Sequence, residues 1–304
     1  MNPEASARQL PYPRLVQEIE AVLREQTAVV PSRLVLPLPG DGSLFVMPAS
    51  DERVAVTKLI TFTPHNGALG LPVIQGDVIV FDVPSGRRIA VIDGPTVTAR
   101  RTAAVSVLAA QRLARSTEGP LLIVGAGVQG RAHLEAFGEV LGAREVRVFS
   151  RSRASADSLV QHAQHLGMRA RRVDDPNLAM AECPLVVSTT PAQQVVLQTM
   201  PRSDAFVAAV GAFTPQMREW APDICRRLVA EGAGVVDTRD ADHEAGDLLQ
   251  AGIDVSTLPS LADLLNDPAA LALSRQRAVG GPVFFKSCGW AGWDLAAARC
   301  LALG

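Results

Sequence analysis

A chain of 304 residues with 48% hydrophobic and 20% charged residues has room for two domains of ordinary size, each with its own core. Its net charge of −2 leaves no basic footprint for nucleic acid or an anionic membrane, and no apolar run approaches the roughly 18 residues of a membrane span. The opening stretch MNPEASARQLPYPR lacks the apolar core of a secretory signal, so the cytoplasm is the expected location.

In chain order, residues 13–26 place Leu15, Val16, Ile19, Val22 and Leu23 on one stripe at helical spacing. From Leu34 to Ile92, short β-rich runs (LVLPLP, SLFVMPA, RVAVTKLITFT, VIVFDV, RRIAVID) alternate with the turn signals PGDG, PHNG and PSG. That texture predicts an antiparallel sheet of hairpins. Thr96 or Thr98 is the expected cap of an Ala-rich helix reaching about Ser116. Beyond STEGP the texture changes. Strands are expected at 121–124, 145–149, 184–188, 205–211 and 234–238, with helices over 128–141 and 153–166 and a last helix from about Trp290 to Leu303. Alternating strands and helices predict an α/β fold with a doubly wound parallel sheet.

Cys183, Cys225, Cys288 and Cys300 have neither CxxC spacing nor a clustered His, and read as reduced thiols. His162 and His165 stand three apart on a predicted helix with no third ligand nearby. They read as part of a polar face, and no metal is expected.

The segment GAGVQG has Gly125, Gly127 and Gly130 in GxGxxG spacing, directly after the apolar run LLIV and at the start of a predicted helix. In that context the first glycine permits a tight turn, the second lets backbone approach a pyrophosphate, and the third lets helix and strand pack closely. The helix N-terminus then offers free N–H groups to phosphate. After the next strand come Ser150, Arg151, Ser152 and Arg153, with no carboxylate before Asp157. An NAD site usually places Asp or Glu here. Arginine instead suits a 2′-phosphate through charge-assisted hydrogen bonds, so NADPH is the expected cofactor in preference to NADH.

Arg33, Lys58 and Arg101 stand out in the first half, and Lys58 lies in the mostly apolar strand AVTKLITF. A lysine there either points outward or meets an anion, because an unpaired buried ammonium is costly.

The ordered motifs PSR, FVMPA, VTKLITFTPHN, DGPTVTARRTAAVSVLAA, GAGVQG and VFFKSCGWAGWDLAAA resemble those of the ornithine cyclodeaminase/mu-crystallin family, over nearly the whole chain. The resemblance implies a Rossmann-type NADP-binding domain over residues 119–285. A discontinuous α+β substrate-binding and dimerisation domain would comprise residues 1–118 and 286–304, in a homodimer. It also implies that Arg33, Lys58 and Arg101 surround a substrate carboxylate, with Lys58 as the catalytic residue. Gly125, Ala126, Gly127, Val128, Gln129 and Gly130 would hold the dinucleotide phosphates. Ser188, Thr189, Thr190 and Val210 would lie along the cofactor, and Ser287 would close the site near the nicotinamide.

Cyclodeaminase members carry an Asp in the pattern VGxDxPGKxE. Here the segment is VGAFTPQMRE, with Phe213 at that position, and Phe can neither transfer a proton nor hold an ammonium as a carboxylate does. The resemblance is therefore closer to the family's imine reductases, which reduce cyclic ketimines such as pyrroline-2-carboxylate or piperideine-2-carboxylate. The alternatives are an alanine-type amino-acid dehydrogenase, an ornithine cyclodeaminase in which Asp237 or Asp240 substitutes, and an NADPH-binding carrier without turnover.

Overall fold

The computed structural model describes residues 1–191 and 194–302. The chain divides into two compact units, Met1–Ala104 with the segment from Trp290 onward, and Val105–Gly289.

The first unit is built on an antiparallel meander of five strands in sequence order: β1 (Leu34–Leu38), β2 (Gly42–Ser50), β3 (Val54–Phe62), β4 (Ile74–Asp82) and β5 (Arg88–Asp93). The PGDG signal forms the β1–β2 turn, with Gly40 and Asp41 both at positive φ, the conformation tight hairpins require. The helix Tyr12–Glu25 buries the expected stripe of Leu15, Val16, Ile19, Val22 and Leu23. The final helix Ala291–Ala302 packs on that helix and on β3. It is also pinned by Arg299, whose buried Nε donates to Asp51 at 2.6 Å. The helix Gly94–Leu113 begins before Thr96, and neither Thr96 nor Thr98 caps it. Asp93 does, accepting from the Thr96 N–H at 2.8 Å and its hydroxyl at 2.6 Å. Its carboxylate reaches a free N–H of the first turn from one position outside the helix, the usual capping geometry.

The second unit carries a seven-stranded parallel sheet in the order β11-β12-β10-β9-β6-β7-β8. Its strands are β6 (Leu121–Val124), β7 (Glu145–Phe149), β8 (Arg169–Arg172), β9 (Leu185–Ser188), β10 (Phe206–Ala209), β11 (Ala233–Val236) and β12 (Val283–Lys286). Two of these escape the sequence reading. The edge strand β8 is RARR and has no apolar alternation to reveal it. β12 is VFFK, fully buried between β10 and β11, so Lys286 ends a central strand and the turn begins only at Ser287. The helices Val128–Val140 and Arg153–His165 follow β6 and β7 as expected. The core joins sheet residues such as Val124, Val186, Val207 and Phe284 to Trp220 and Leu228, with Trp220 edge-on to Phe284 at 5.6 Å. Strand order reverses between β6 and β9, which makes the crevice outside their carboxyl ends the place where such sheets bind ligands.

All four cysteines are buried free thiols, and burial pushes Cys183 and Cys300 up to about 12. His162 faces Glu135 at 2.9 Å and Arg131 at 3.0 Å on the helix surface. No helix among the described residues is long and apolar enough to cross a membrane.

Candidate active site

At the end of β6 the chain turns through Gly125 at φ +113°, a conformation L side chains rarely adopt. A Cβ there would also lie 2.7 Å from the Thr189 hydroxyl. At Gly130 a Cβ would overlap the carbonyl oxygen of Gly125, whereas at Gly127 it would meet open space. The glycines thus divide as the motif requires: two let the helix, the turn and the end of β9 pack closely, and one keeps backbone open. Gly127 stands at the helix N-cap and no side chain caps Val128–Val140. Its first turn keeps the partial positive charge and N–H groups that bind phosphate. Ala126 and Gln129 are half-buried and Val128 is exposed. Thr189 completes the turn, its N–H donating to Val124 at 2.8 Å and its hydroxyl to Gly125 at 3.1 Å.

Beyond β7, Ser150 is half-buried, and Arg151, Ser152 and Arg153 are exposed. The Ser152 hydroxyl caps the next helix through the N–H of Ser155 at 3.2 Å. Arg153 stands 3.9 Å from Asp174, and Arg151 has no ion pair among the described residues.

Sequence reasoning missed a buried ionic network at the carboxyl ends of β9, β10 and β12. Glu219 accepts four hydrogen bonds, from the Ser188 hydroxyl (3.0 Å), the N–H (2.7 Å) and hydroxyl (2.8 Å) of Thr190, and the N–H of Gly211 (2.8 Å). Gly211 is required here, because a Cβ would press on the Glu219 carboxyl. Asp247 accepts from the N–H groups of Glu219 (2.7 Å) and Trp220 (3.0 Å) and from Lys286 Nζ (2.9 Å). Burial, and then Asp247, push Glu219 up to about 7, against Lys286 and the Thr190 donors. Burial acts to lower Lys286, but Asp247 outweighs it and the ammonium is held above its ordinary range. The residues expected along the cofactor are thus held from behind: Ser188 and Thr190 by Glu219, and buried Val210 through its N–H to Ser188 at 2.8 Å.

Ser287 is buried, and its hydroxyl donates to Asp237 at 2.8 Å. The same carboxylate takes the N–H groups of Cys288 (3.0 Å), Gly289 (2.9 Å) and Thr238 (2.9 Å). Asp237 therefore holds the turn after β12, with both oxygens occupied. Phe213 is half-buried on the segment after Gly211.

In the first unit, Lys58 is buried on β3 and does meet an anion, one supplied by the chain itself. Its Nζ lies 2.8 Å from Asp294 Oδ2, and Arg101 Nε lies 3.5 Å from Oδ1 of the same carboxylate. Burial pulls Lys58 down to about 8, with Asp294 opposing and Arg101 and Arg33 adding to the fall. The structure thus brings Lys58 and Arg101 onto one carboxylate, with Arg33 within electrostatic range. Asp294 went unassigned in the sequence, although a single Asp inside AGWDLAAA is a signal, since a buried acid needs a partner. Nearby, Trp290 meets Trp293 edge-on at 5.0 Å.

The parallel sheet, its reversal at β6 and β9, and the glycine turn at that point define a Rossmann-type α/β protein with an added antiparallel-sheet unit. More narrowly, the chain belongs to the ornithine cyclodeaminase/mu-crystallin family, whose model matches residues 9–301. It is 38% identical to Delta(1)-pyrroline-2-carboxylate reductase 1 of Burkholderia multivorans, over 97% of this chain and 92% of that one. It is 34% identical to the ketimine reductase mu-crystallin of Mus musculus, over 88% of this chain and 83% of that one. Its fold matches that of the Thermococcus litoralis Delta(1)-pyrroline-2-carboxylate reductase solved with NADH and L-proline. That match has a TM-score of 0.87 at 23% identity and covers 98% of this chain and 95% of that one.

Proposed function

We propose that the protein is an NADPH-dependent reductase of cyclic ketimines, converting pyrroline-2-carboxylate or piperideine-2-carboxylate to the cyclic amino acid. The observation that carries this reading is the buried meeting of Lys58 and Arg101, with Arg33 in range, in a chain whose relatives include reductases of that substrate.

The cofactor supplies a hydride when bound. Gly125, Ala126, Gly127, Val128, Gln129 and Gly130 would hold its pyrophosphate, for which the open backbone at Gly127 and the uncapped helix are suited. Ser150, Arg151, Ser152 and Arg153 would hold the 2′-phosphate, favouring NADPH over NADH; the exposed Arg151 and the absence of a carboxylate before Asp157 support this. Ser188, Thr189, Thr190 and Val210 would lie along the cofactor, and Ser287 would close the site near the nicotinamide.

Arg33 and Arg101 grip the substrate carboxylate, and Lys58 binds it or orients the iminium. A cyclic iminium can enter already protonated, which requires no dedicated acid of these residues; their work is to orient it, which is where most of the rate advantage arises. A cyclodeaminase reading has less support. Phe213 stands where a carboxylate would act, and Asp237 is fully engaged in the turn after β12.

The first unit is read as the substrate and dimerisation domain and the second as the NADP-binding domain. The exposed apolar edge strand β1, with Leu34, Val35, Leu36 and Leu38 all exposed, supports a homodimer, since an open apolar edge invites pairing.

The test is loss of NADPH absorbance with each ketimine, repeated with NADH. Fast, NADPH-selective turnover is expected. Cofactor binding without consumption of either ketimine would overturn the reading in favour of a carrier or a dehydrogenase of another substrate.

A further inference from the structure

Lys58 pairs across the sheet with Met47 on β2 and Val78 on β4, neither of them ionisable. The charged groups that face it come from other elements: Asp294 from the final helix, Arg101 from the helix Gly94–Leu113, and Arg33 from the segment ahead of β1. Asp294 is fully buried in a helix that is otherwise almost wholly apolar. A buried ion pair is weak evidence for stability, because a well-packed apolar pair in its place is often as stable. Something other than packing is the better account of this carboxylate.

We propose that Asp294 is a positioning residue of the ketimine reduction, holding the Lys58 ammonium charged and aimed, and the Arg101 guanidinium beside it, for the substrate carboxylate. This rests on the reductase reading above. The physical need is direct. A buried lysine near two guanidinium groups is driven by desolvation and by like charge toward its neutral form, and an adjacent carboxylate is what opposes both. With Asp294 present, Lys58 stays an ammonium through neutral pH; without it, the anion-binding charge is lost at a lower pH. Asp294 also restricts where that ammonium lies, since the Nζ–Oδ2 contact of 2.8 Å is within hydrogen-bond range.

The experiment compares wild type, D294N and K58M, reading L-proline binding in the presence of NADP across the neutral and alkaline range, with NADPH affinity measured separately. Wild type is tested first for turnover of both ketimines. Failure there removes the reductase reading itself, whatever Asp294 does. Given turnover, wild-type binding of L-proline is expected to fall through a midpoint near 8, because the charged lysine is the binding form. In D294N the midpoint moves down by about one to three pH units, the usual effect of one close opposite charge. At the wild-type midpoint that is a loss of about 5-fold for one unit and about 50-fold for two. KM rises more than kcat falls, and NADPH affinity is unchanged. K58M removes the titrating group, so its L-proline binding is weak and flat across the same range. A folded D294N with the wild-type midpoint would reduce Asp294 to a brace of the final helix and overturn the proposal. If D294N fails to fold, K58M still decides: an alkaline fall that survives in K58M shows that another group titrates, and the proposal fails.

Discussion

Glu219→Gln keeps the shape of the buried side chain and removes its charge, which makes it the sharpest test of the network behind β9 and β10. The carboxylate takes two donors at each oxygen: Thr190 N–H and hydroxyl at Oε1, and the Ser188 hydroxyl and Gly211 N–H at Oε2. An amide has one carbonyl oxygen, so its NH2 must face one of those pairs. The Ser188 or Thr190 hydroxyl can rotate, but the backbone N–H of Gly211 or of Thr190 cannot. One buried N–H is left without an acceptor, at about 1–3 kcal/mol, and the surviving bonds lose their ionic character, for a total of about 2–5 kcal/mol. In a domain of this size that lowers Tm by roughly 5–15 °C, read by circular dichroism on heating. Asp174→Asn, whose ion pairs with Arg153 and Arg172 are long and whose carboxylate is open to solvent, serves as the control and should stay near wild type. An opposing effect is present, since burial and Asp247 already push Glu219 up to about 7, and the amide relieves that repulsion. An unchanged or higher Tm would mean that this relief outweighs four hydrogen bonds, and the reading of Glu219 as the anchor of both strand ends would be wrong.

Arg101→Ala should weaken carboxylate substrates by about 10-fold or more, as loss of a charge-assisted contact implies, while NADPH affinity stays near wild type. Equal losses in both, measured by steady-state kinetics and cofactor fluorescence, would remove its assigned role. Arg151→Ala should lower the ratio of kcat/KM for NADPH over NADH, and an unchanged ratio would show that the arginine only faces solvent. His133 gives a pH prediction. Its Nδ1 meets the Gln129 carbonyl at 2.8 Å and its Nε2 the Ser106 hydroxyl at 2.9 Å, and burial pulls it down to about 4. The neutral ring therefore favours the fold above the unfolded value of about 6.5, and that contribution drains away as pH falls toward 4, by about 3 kcal/mol in all. His133→Gln should flatten the fall in Tm over that window; the same slope in both proteins would place the acid sensitivity elsewhere.

The buried ionic groups follow one pattern in the two units. Lys58 and Arg101 share Asp294, and Lys286 pairs with Asp247, with Glu219 within electrostatic range. In each case a buried carboxylate sits behind the residues assigned to ligand binding. Charges that are costly to bury would, on the proposed function, hold neighbouring groups in one arrangement before a ligand arrives.

Much of this was legible in the chain itself, because it depends on neighbours in sequence. The stripe Leu15, Val16, Ile19, Val22 and Leu23 buries itself wherever a helix forms. The run LLIV, the glycines of GAGVQG and the helix after them form a local unit whose geometry follows from residue size and φ. Even there the helix cap at Asp93 was missed in favour of Thr96 or Thr98, since both residue types can cap and only the backbone path decides. The strand RARR was invisible because its pairing with β7, not its pattern, makes it a strand. What tertiary structure alone decided was the partner of each buried charge. Asp294 reaches Lys58 from the opposite end of the chain, Asp237 gathers the turn at Ser287, and Glu219 binds two strand ends. An isolated charge in an apolar run shows that a partner must exist, because burial without one costs too much. Which residue answers it depends on the faces that folding brings together, and no local pattern encodes that.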